Sequence, residues 1–186
     1  MPSGRSKAAS RGVAATYAVS DMWRTPHQRQ WPWLLGFLAA SYAAAGLGSL
    51  FTINALRSGW YRQLHKPPWT PPDRIFGPVW TILYTQMAIA AWLLRRRDTE
   101  GAEAARLALL VWAAQLALNV AWSAAFFGAR SPAKGLAVIV ALWCAIAATV
   151  GAAARVQRAA AALLVPYFVW TTYAAALNLE IWRRNR

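Results

Sequence analysis

Apolar residues in this chain fall in long unbroken blocks, separated by short polar segments that hold nearly all the charge. Neither a strand's alternation nor the narrow stripe of a surface helix describes them. Five blocks stand out: 31–53, "WPWLLGFLAASYAAAGLGSLFTI", then 76–94, 104–127, 133–154 and 159–182. At ~1.5 Å rise per residue each is long enough to cross a hydrocarbon layer of ~30 Å. None carries a charge in its middle third. The pattern predicts an all-α integral membrane protein, a bundle of five transmembrane helices over residues 31–186. Spans 2 to 5 are joined by short connections, so consecutive spans should run antiparallel. Residues 1–30 are polar, with serines and arginines and no apolar stretch of the secretory-signal kind. They read as a disordered tail, with an organelle transit peptide as the alternative.

Composition sharpens this picture. Of the 186 residues 58% are hydrophobic and only 14% charged, too apolar for a soluble domain of this size. Lys and Arg number 20 against 6 Asp and Glu. In a soluble protein that excess would point to nucleic acid. Here the arginines gather at block ends, as "RRR" (Arg95 to Arg97), "RVQR" (Arg155 to Arg158) and "RRNR" (Arg183 to Arg186), where lipid headgroups meet helix ends. No nucleic-acid partner is expected. Both sides of the membrane are about equally basic, so the positive-inside rule sets no orientation. The lone Cys144 cannot form an intrachain disulfide, and His27 and His65 lack the spacing of metal ligands. No metal is expected.

The spans carry polar residues in a pattern. On span 3, "AARLALLVWAAQLALNVAWSAAFFG", a turn of roughly 100° per residue puts Gln115, Asn119, Trp122, Ser123 and Phe126 on one face. Amides do not face lipid without cost, so this face should look into the bundle. It either meets a ligand or bonds neighbouring helices. Ala113, Ala117, Ala121 and Ala125 share the opposite face. Small residues at intervals of four allow close backbone approach, within the chain or across a homodimer seam. Span 5 groups Pro166, Trp170, Tyr173, Leu177 and Asn178, and span 2 offers Trp80, Tyr84 and Met87. Trp31, Trp33, Trp92 and Trp182 stand at span ends as interfacial belt residues. Trp80, Trp122 and Trp170 lie inside spans, where a belt role explains less. The absence of mid-membrane charge argues against a pump or an ion-coupled carrier. There is no nucleophile–base pair, since Ser123 has no histidine partner, and no phosphate loop. What remains suits a large, flat, mostly apolar ligand held by stacking.

The first connection, "WYRQLHKPPWTPPDRIFGPVWTILY" (residues 60–84), resembles the W-Y-x-x-L-x-K-P-x-W-x-P-P segment of the translocator protein family, the tryptophan-rich sensory proteins or TspO/MBR proteins. "ALNVAWSAAFFGARSP" is similar to the family's third-helix motif, and "VPYFVWTTYAAALN" to its fifth. The likeness runs from Trp31 to Asn185. It implies five transmembrane helices, often homodimeric, around a pocket closed by the first loop. Pro67, Pro68, Pro71 and Pro72 would stiffen that loop by fixing φ, as a lid or as plain structural cover.

Members bind porphyrins and in many cases sterols. The implied ligand is therefore a porphyrin, of the protoporphyrin IX or heme type, with no resident cofactor required. The implied ligand-binding positions are Tyr61, Trp69, Trp80, Asn119, Trp122, Trp170 and Asn178. Trp80 and Trp170 would flank the ring plane, and Tyr61 and Asn119 would bond its polar edge. Arg62, Lys66 and Arg74 either meet propionates at the mouth or are simply solvated at the surface, the second being the commoner role for any one of them. The animal members' sterol stretch near the end of helix 5 is broken here, because Leu179 stands where its tyrosine would be. That lowers the case for a sterol and resembles bacterial members. Relatives occur in bacterial envelopes and in mitochondrial outer membranes; the bacterial envelope is the expected home, with the mitochondrial outer membrane as the alternative. Three functions stay open: a tetrapyrrole sensor, a porphyrin or lipid transporter, and a light-dependent porphyrin-degrading enzyme with Trp80 or Trp170 as oxidisable groups.

Overall fold

A computed structural model describes residues 31–96 and 102–186. The tail over 1–30, with His27, and the connection over 97–101 lie outside the described residues. Five long helices follow one another: α1 Trp31–Arg57, α2 Asp73–Arg95, α3 Ala102–Ser123, α4 Pro132–Val156 and α5 Arg158–Arg184. Each is long and apolar enough to span a bilayer, α3 together with the turn that prolongs it to Gly128. Each contains one of the blocks read from the sequence. The protein is an all-α, multi-pass integral membrane protein.

Local chemistry fixes the helix ends. α1 stops at Arg57, and Gly59 then takes φ +76°, the left-handed conformation that glycine adopts without a Cβ penalty. A one-turn helix, Trp60–Gln63, follows and buries Tyr61. Asp73 opens α2 with a carboxylate at the positive end of its dipole. α3 widens at its end into a π-turn, Ala124–Gly128, where Ala129 N–H donates to the Ala124 carbonyl at 2.7 Å. Ser131 caps α4 by accepting from Lys134 N–H at 3.3 Å, and Pro132 occupies the first turn, where its missing N–H costs nothing. A single extended residue, Gln157, separates α4 from α5.

The helices close into a ring in the order α1, α2, α5, α4, α3. Side-chain pairs give the register. Phe37 meets Trp112 edge-on and Gly48 lies against Ser123, so α1 and α3 run parallel. Phe76 meets Trp170 while Trp80 meets Tyr167, so α2 and α5 run antiparallel. Consecutive helices do reverse direction, but α2 packs chiefly on α1 and α5 and only lightly on its sequence neighbour α3. The interior is built from Met87, Leu94, Leu142, Ile146, Leu164 and Tyr167, all almost fully buried. Leu35, Leu50, Ile82, Leu110 and Val169 point outward, as lipid-facing side chains should. So do Ala113, Ala117 and Ala121, while Ala125 is half-buried. Of the two roles open to the alanine stripe, packing within the chain is not the one it has at those three positions.

At the helix ends, the guanidinium of Arg95 lies 4.7 Å from the Trp33 ring centre and that of Arg96 lies 4.6 Å from Trp92. These are the contacts expected of a belt at the headgroup level.

Candidate functional site

Asn119, on α3, is the central polar residue of the bundle and only 2% exposed. Its Oδ1 accepts from the Tyr84 hydroxyl of α2 at 2.8 Å, and its Nδ2 donates to the Tyr167 hydroxyl of α5 at 2.8 Å. One amide thus ties three helices together at mid-depth. A hydroxyl that accepts still holds a proton of its own, so one tyrosine O–H remains unengaged by this bond pair. The indole of Trp80 rests on both tyrosines, with ring centres 5.5 Å from Tyr84 and 6.2 Å from Tyr167.

Nearer the loop, Trp170 packs edge-on against Phe76 at 5.9 Å and tilts over Tyr173 at 5.7 Å. Tyr173 in turn meets Trp69 at 5.5 Å and donates its hydroxyl to the Trp69 carbonyl at 2.7 Å. Trp80 and Trp170 therefore line the same α2–α5 seam, both half-buried, each backed by its own aromatic partners. Trp69 itself is 46% exposed, on the outside of this group.

A third group joins α3, α4, α5 and the loop. The Trp122 indole N–H donates to Asn178 Oδ1 at 3.2 Å, and Asn178 Nδ2 donates to the Pro132 carbonyl at 2.8 Å. This pair sits against Gly135, where a Cβ would come within 2.9 Å of Asn178 Oδ1 and 2.7 Å of the Phe126 ring. The glycine is what lets α4 approach so closely. Trp122 stacks on Phe126 at 5.8 Å, and Phe126 and Phe127 hold Tyr61 from the π-turn at 6.4 and 5.6 Å. The Lys66 ammonium lies 4.1 Å from the centre of the Tyr61 ring. Burial, with smaller contributions from Asp73 and Tyr173, pushes the Tyr61 phenol up to about 12.

The residues read from the sequence are thus distributed over three adjoining groups. Trp80 and Asn119 share one, Trp170 and Trp69 another, and Tyr61, Trp122 and Asn178 the third. Trp122 packs against both hydrophobic clusters of the molecule and links them. Tyr61 and Asn119, paired in expectation at one polar edge, stand in different groups. Asn178 is 2% exposed and bonded to Trp122 and Pro132. Gln115 is 1% exposed and directs Nε2 to the Met87 sulfur at 3.6 Å.

Tyr167 went unnoticed in the sequence, yet it is fully buried at the centre. The signal was there: it precedes Asn178 by eleven residues, which places both on one helix face.

Five membrane helices ringed around packed indoles and tyrosines, bridged by neutral amides, define a polytopic membrane protein with an aromatic, uncharged interior. The profile of the TspO/MBR family matches residues 37–183. The chain is 39% identical over 155 residues to the tryptophan-rich sensory protein of Cereibacter sphaeroides, covering 83% of this chain and 92% of that one. It is 44% identical over 138 residues to the tryptophan-rich protein TspO of Chlorobaculum tepidum, covering 74% and 86%. To the translocator protein of Homo sapiens it is 37% identical over 156 residues, covering 83% and 92%. The chain belongs to the TspO/MBR family.

Proposed function

We propose that the chain is a tetrapyrrole-binding sensor or regulatory protein, taking a porphyrin of the protoporphyrin IX or heme type at the α2–α5 seam beneath the first loop. The observation that carries this is the pairing of Trp80 and Trp170 along one seam, each backed by aromatic rings and with no ionised side chain between them. A flat conjugated ring gains dispersion and quadrupole contacts from such walls without desolvating a charge. Its carboxylates would then lie toward Arg62, Lys66 and Arg74 in the loop. The lack of mid-span charge favours binding over ion-coupled transport. The relatives' names, sensory protein and translocator protein, fit either a sensing or a carrying role.

Titrating the detergent-purified protein with protoporphyrin IX and following tryptophan fluorescence tests the reading. Saturable quenching in the dark is expected, weakened about tenfold in Trp80→Ala and in Trp170→Ala, the scale of one lost aromatic stacking contact. Absence of saturation refutes it. A new pigment spectrum formed only under illumination would favour porphyrin breakdown, with Trp80 and Trp170 as the oxidisable groups. Porphyrin flux into vesicles would favour transport.

The outward-facing Ala113, Ala117 and Ala121 suit a seam between two copies of the chain in the membrane. Ala117→Phe is then expected to shift cross-linked dimer to monomer without lowering thermal stability. A bacterial envelope is the proposed location, resting on the bacterial form of the α5 end.

A further inference from the structure

Two buried hydroxyls among the described residues have no hydrogen-bond partner, Ser41 on α1 and Thr171 on α5, and only the second lies beside the aromatic residues of the site. Thr171, on α5, is 1% exposed, and its Oγ1 has no hydrogen-bond partner among the described residues. Helix-borne threonines ordinarily return their hydroxyl to the carbonyl four residues back. Thr52, Thr81, Thr85, Thr149 and Thr172 all do so here, at 2.7 to 3.3 Å. Thr172, the next residue, donates to the Phe168 carbonyl at 2.8 Å, so the local backbone does not forbid the bond. Thr171 does not make it.

Helical spacing says what it faces. Tyr167, Thr171, Ala174 and Asn178 lie within roughly 60° of one another around α5. Tyr167 is bound by Asn119 and Asn178 by Trp122, both on α3. Thr171 lies between these two cross-helix pairs, on the same stripe, with no counterpart. It directly follows Trp170 and is one turn from Tyr167, the residue on which Trp80 packs. Its other neighbour on the stripe, Ala174, has no side chain beyond Cβ to cover it. A hydroxyl left unpaired in an apolar interior is unfavourable, and a bound molecule that completes the bond is one way a fold accommodates it.

We infer that Thr171 is a specificity-determining contact of the seam, donating its hydroxyl to a carbonyl on the inserted edge of the ligand. The inference rests on the tetrapyrrole reading above. With the carboxylates held at the loop, the opposite edge of the macrocycle enters the bundle. The site then prefers a tetrapyrrole that bears a carbonyl substituent on that edge over one bearing only hydrocarbon there. Tyr167, with its hydroxyl one turn away, extends the same polar stripe.

A matched pair of ligands separates these ideas. Protoporphyrin IX carries two vinyl groups opposite its propionates; diformyldeuteroporphyrin IX carries formyl groups of nearly the same shape at those positions. Dissociation constants for both are measured with the wild-type protein, Thr171→Val and Thr171→Ser. The wild type is expected to favour the diformyl compound about tenfold, the scale of one added hydrogen bond. Thr171→Val should abolish that preference while binding protoporphyrin IX normally, and Thr171→Ser should retain it. Removing an unpaired hydroxyl should also leave Thr171→Val at least as heat-stable as the wild type without ligand, which rules out misfolding as the cause. Equal preference in wild type and Thr171→Val, with both porphyrins bound, overturns the role of Thr171 and leaves the tetrapyrrole reading standing. Failure of both porphyrins to bind the wild type overturns the two together.

Discussion

Asn119→Ala probes the claim that one amide fastens three helices. The substitution strips the Tyr84 hydroxyl and the Tyr167 hydroxyl of their shared partner. Both rings are deeply buried, Tyr84 at 5% and Tyr167 at 0% exposure. In water-soluble cores an orphaned hydroxyl costs ~1–3 kcal/mol. Between membrane helices a hydrogen bond averages only ~0.6 kcal/mol and reaches ~1.7, because the unfolded chain in the membrane finds other partners. Two bonds on the membrane scale come to ~1–3 kcal/mol, and complete burial puts this pair near the upper half, about 2 kcal/mol. Most of that is the penalty of unpaired hydroxyls rather than lost attraction, which has a consequence. Tyr84→Phe and Tyr167→Phe, added to Asn119→Leu, remove every polar atom of the group at little change in shape. This triple variant should be more stable than Asn119→Ala alone. Equilibrium unfolding in mixed micelles measures both. If Asn119→Ala stays within about 0.5 kcal/mol of the wild type, or the triple variant is the less stable of the two, the amide is not the fastening described. Porphyrin affinity should fall in Asn119→Ala as well, since Trp80 rests on both tyrosine rings.

Two further outcomes follow from the loop. Tyr61 ionises near 12 in the folded protein against a reference of 10.0. Its neutral form is thus the one the fold favours, so this contribution is fully present below pH 10 and is lost as pH rises from 10 towards 12. Tyr61→Phe should flatten the decline of unfolding free energy over that window by on the order of 2 kcal/mol. A decline as steep as in the wild type refutes the assignment. Asn185 pairs with the loop backbone: His65 N–H donates to its Oδ1 at 3.0 Å, and its Nδ2 donates to the His65 carbonyl at 3.1 Å. Both bonds are exposed, so Asn185→Ala should release roughly 1 kcal/mol of local stability. Tryptic cleavage after Arg62 should then quicken about fivefold; an unchanged rate contradicts the pairing.

The helices were legible because membrane burial acts on whole blocks: a span free of charge over ~20 residues has few alternatives to a helix. The inward face of α3 was legible too, since Gln115 and Asn119 cannot face lipid cheaply. Partner identity was not. An asparagine at mid-depth announces that it needs a donor and an acceptor, but any neighbouring helix can provide them. Only the ring order decides that Tyr84 and Tyr167 do. The π-turn at Ala124–Gly128 left no local mark, because nothing before Gly128 in "SAAFFG" disfavours a plain α-helix. Phe126 and Phe127, both within the turn, pack against Tyr61. Thr171 was invisible for a similar reason: a threonine in an apolar span normally satisfies itself, and only coordinates reveal that this one does not.

α5 touches both the candidate site and the first loop. From one helix, Tyr167 meets Asn119, Trp170 walls the seam, Tyr173 holds the Trp69 carbonyl, and Asn178 fixes Trp122 and the start of α4. One residue past its end, Asn185 holds His65. The loop is therefore attached to α5 at two points, Trp69 and His65, while its ends belong to α1 and α2. A ligand that spreads the α2–α5 seam moves α2 and α5 apart, and the loop cannot follow both. Either Tyr173 and Asn185 release it or it strains against α2. The four prolines between Pro67 and Pro72 restrict how far the chain there can bend to absorb the difference. On the proposed tetrapyrrole reading, occupancy of the seam is then expected to change the loop's surface. Distances between spin labels at Arg62 and Arg130 measured with and without protoporphyrin IX decide the matter: a bound ligand that leaves them unchanged would show that seam and loop are uncoupled.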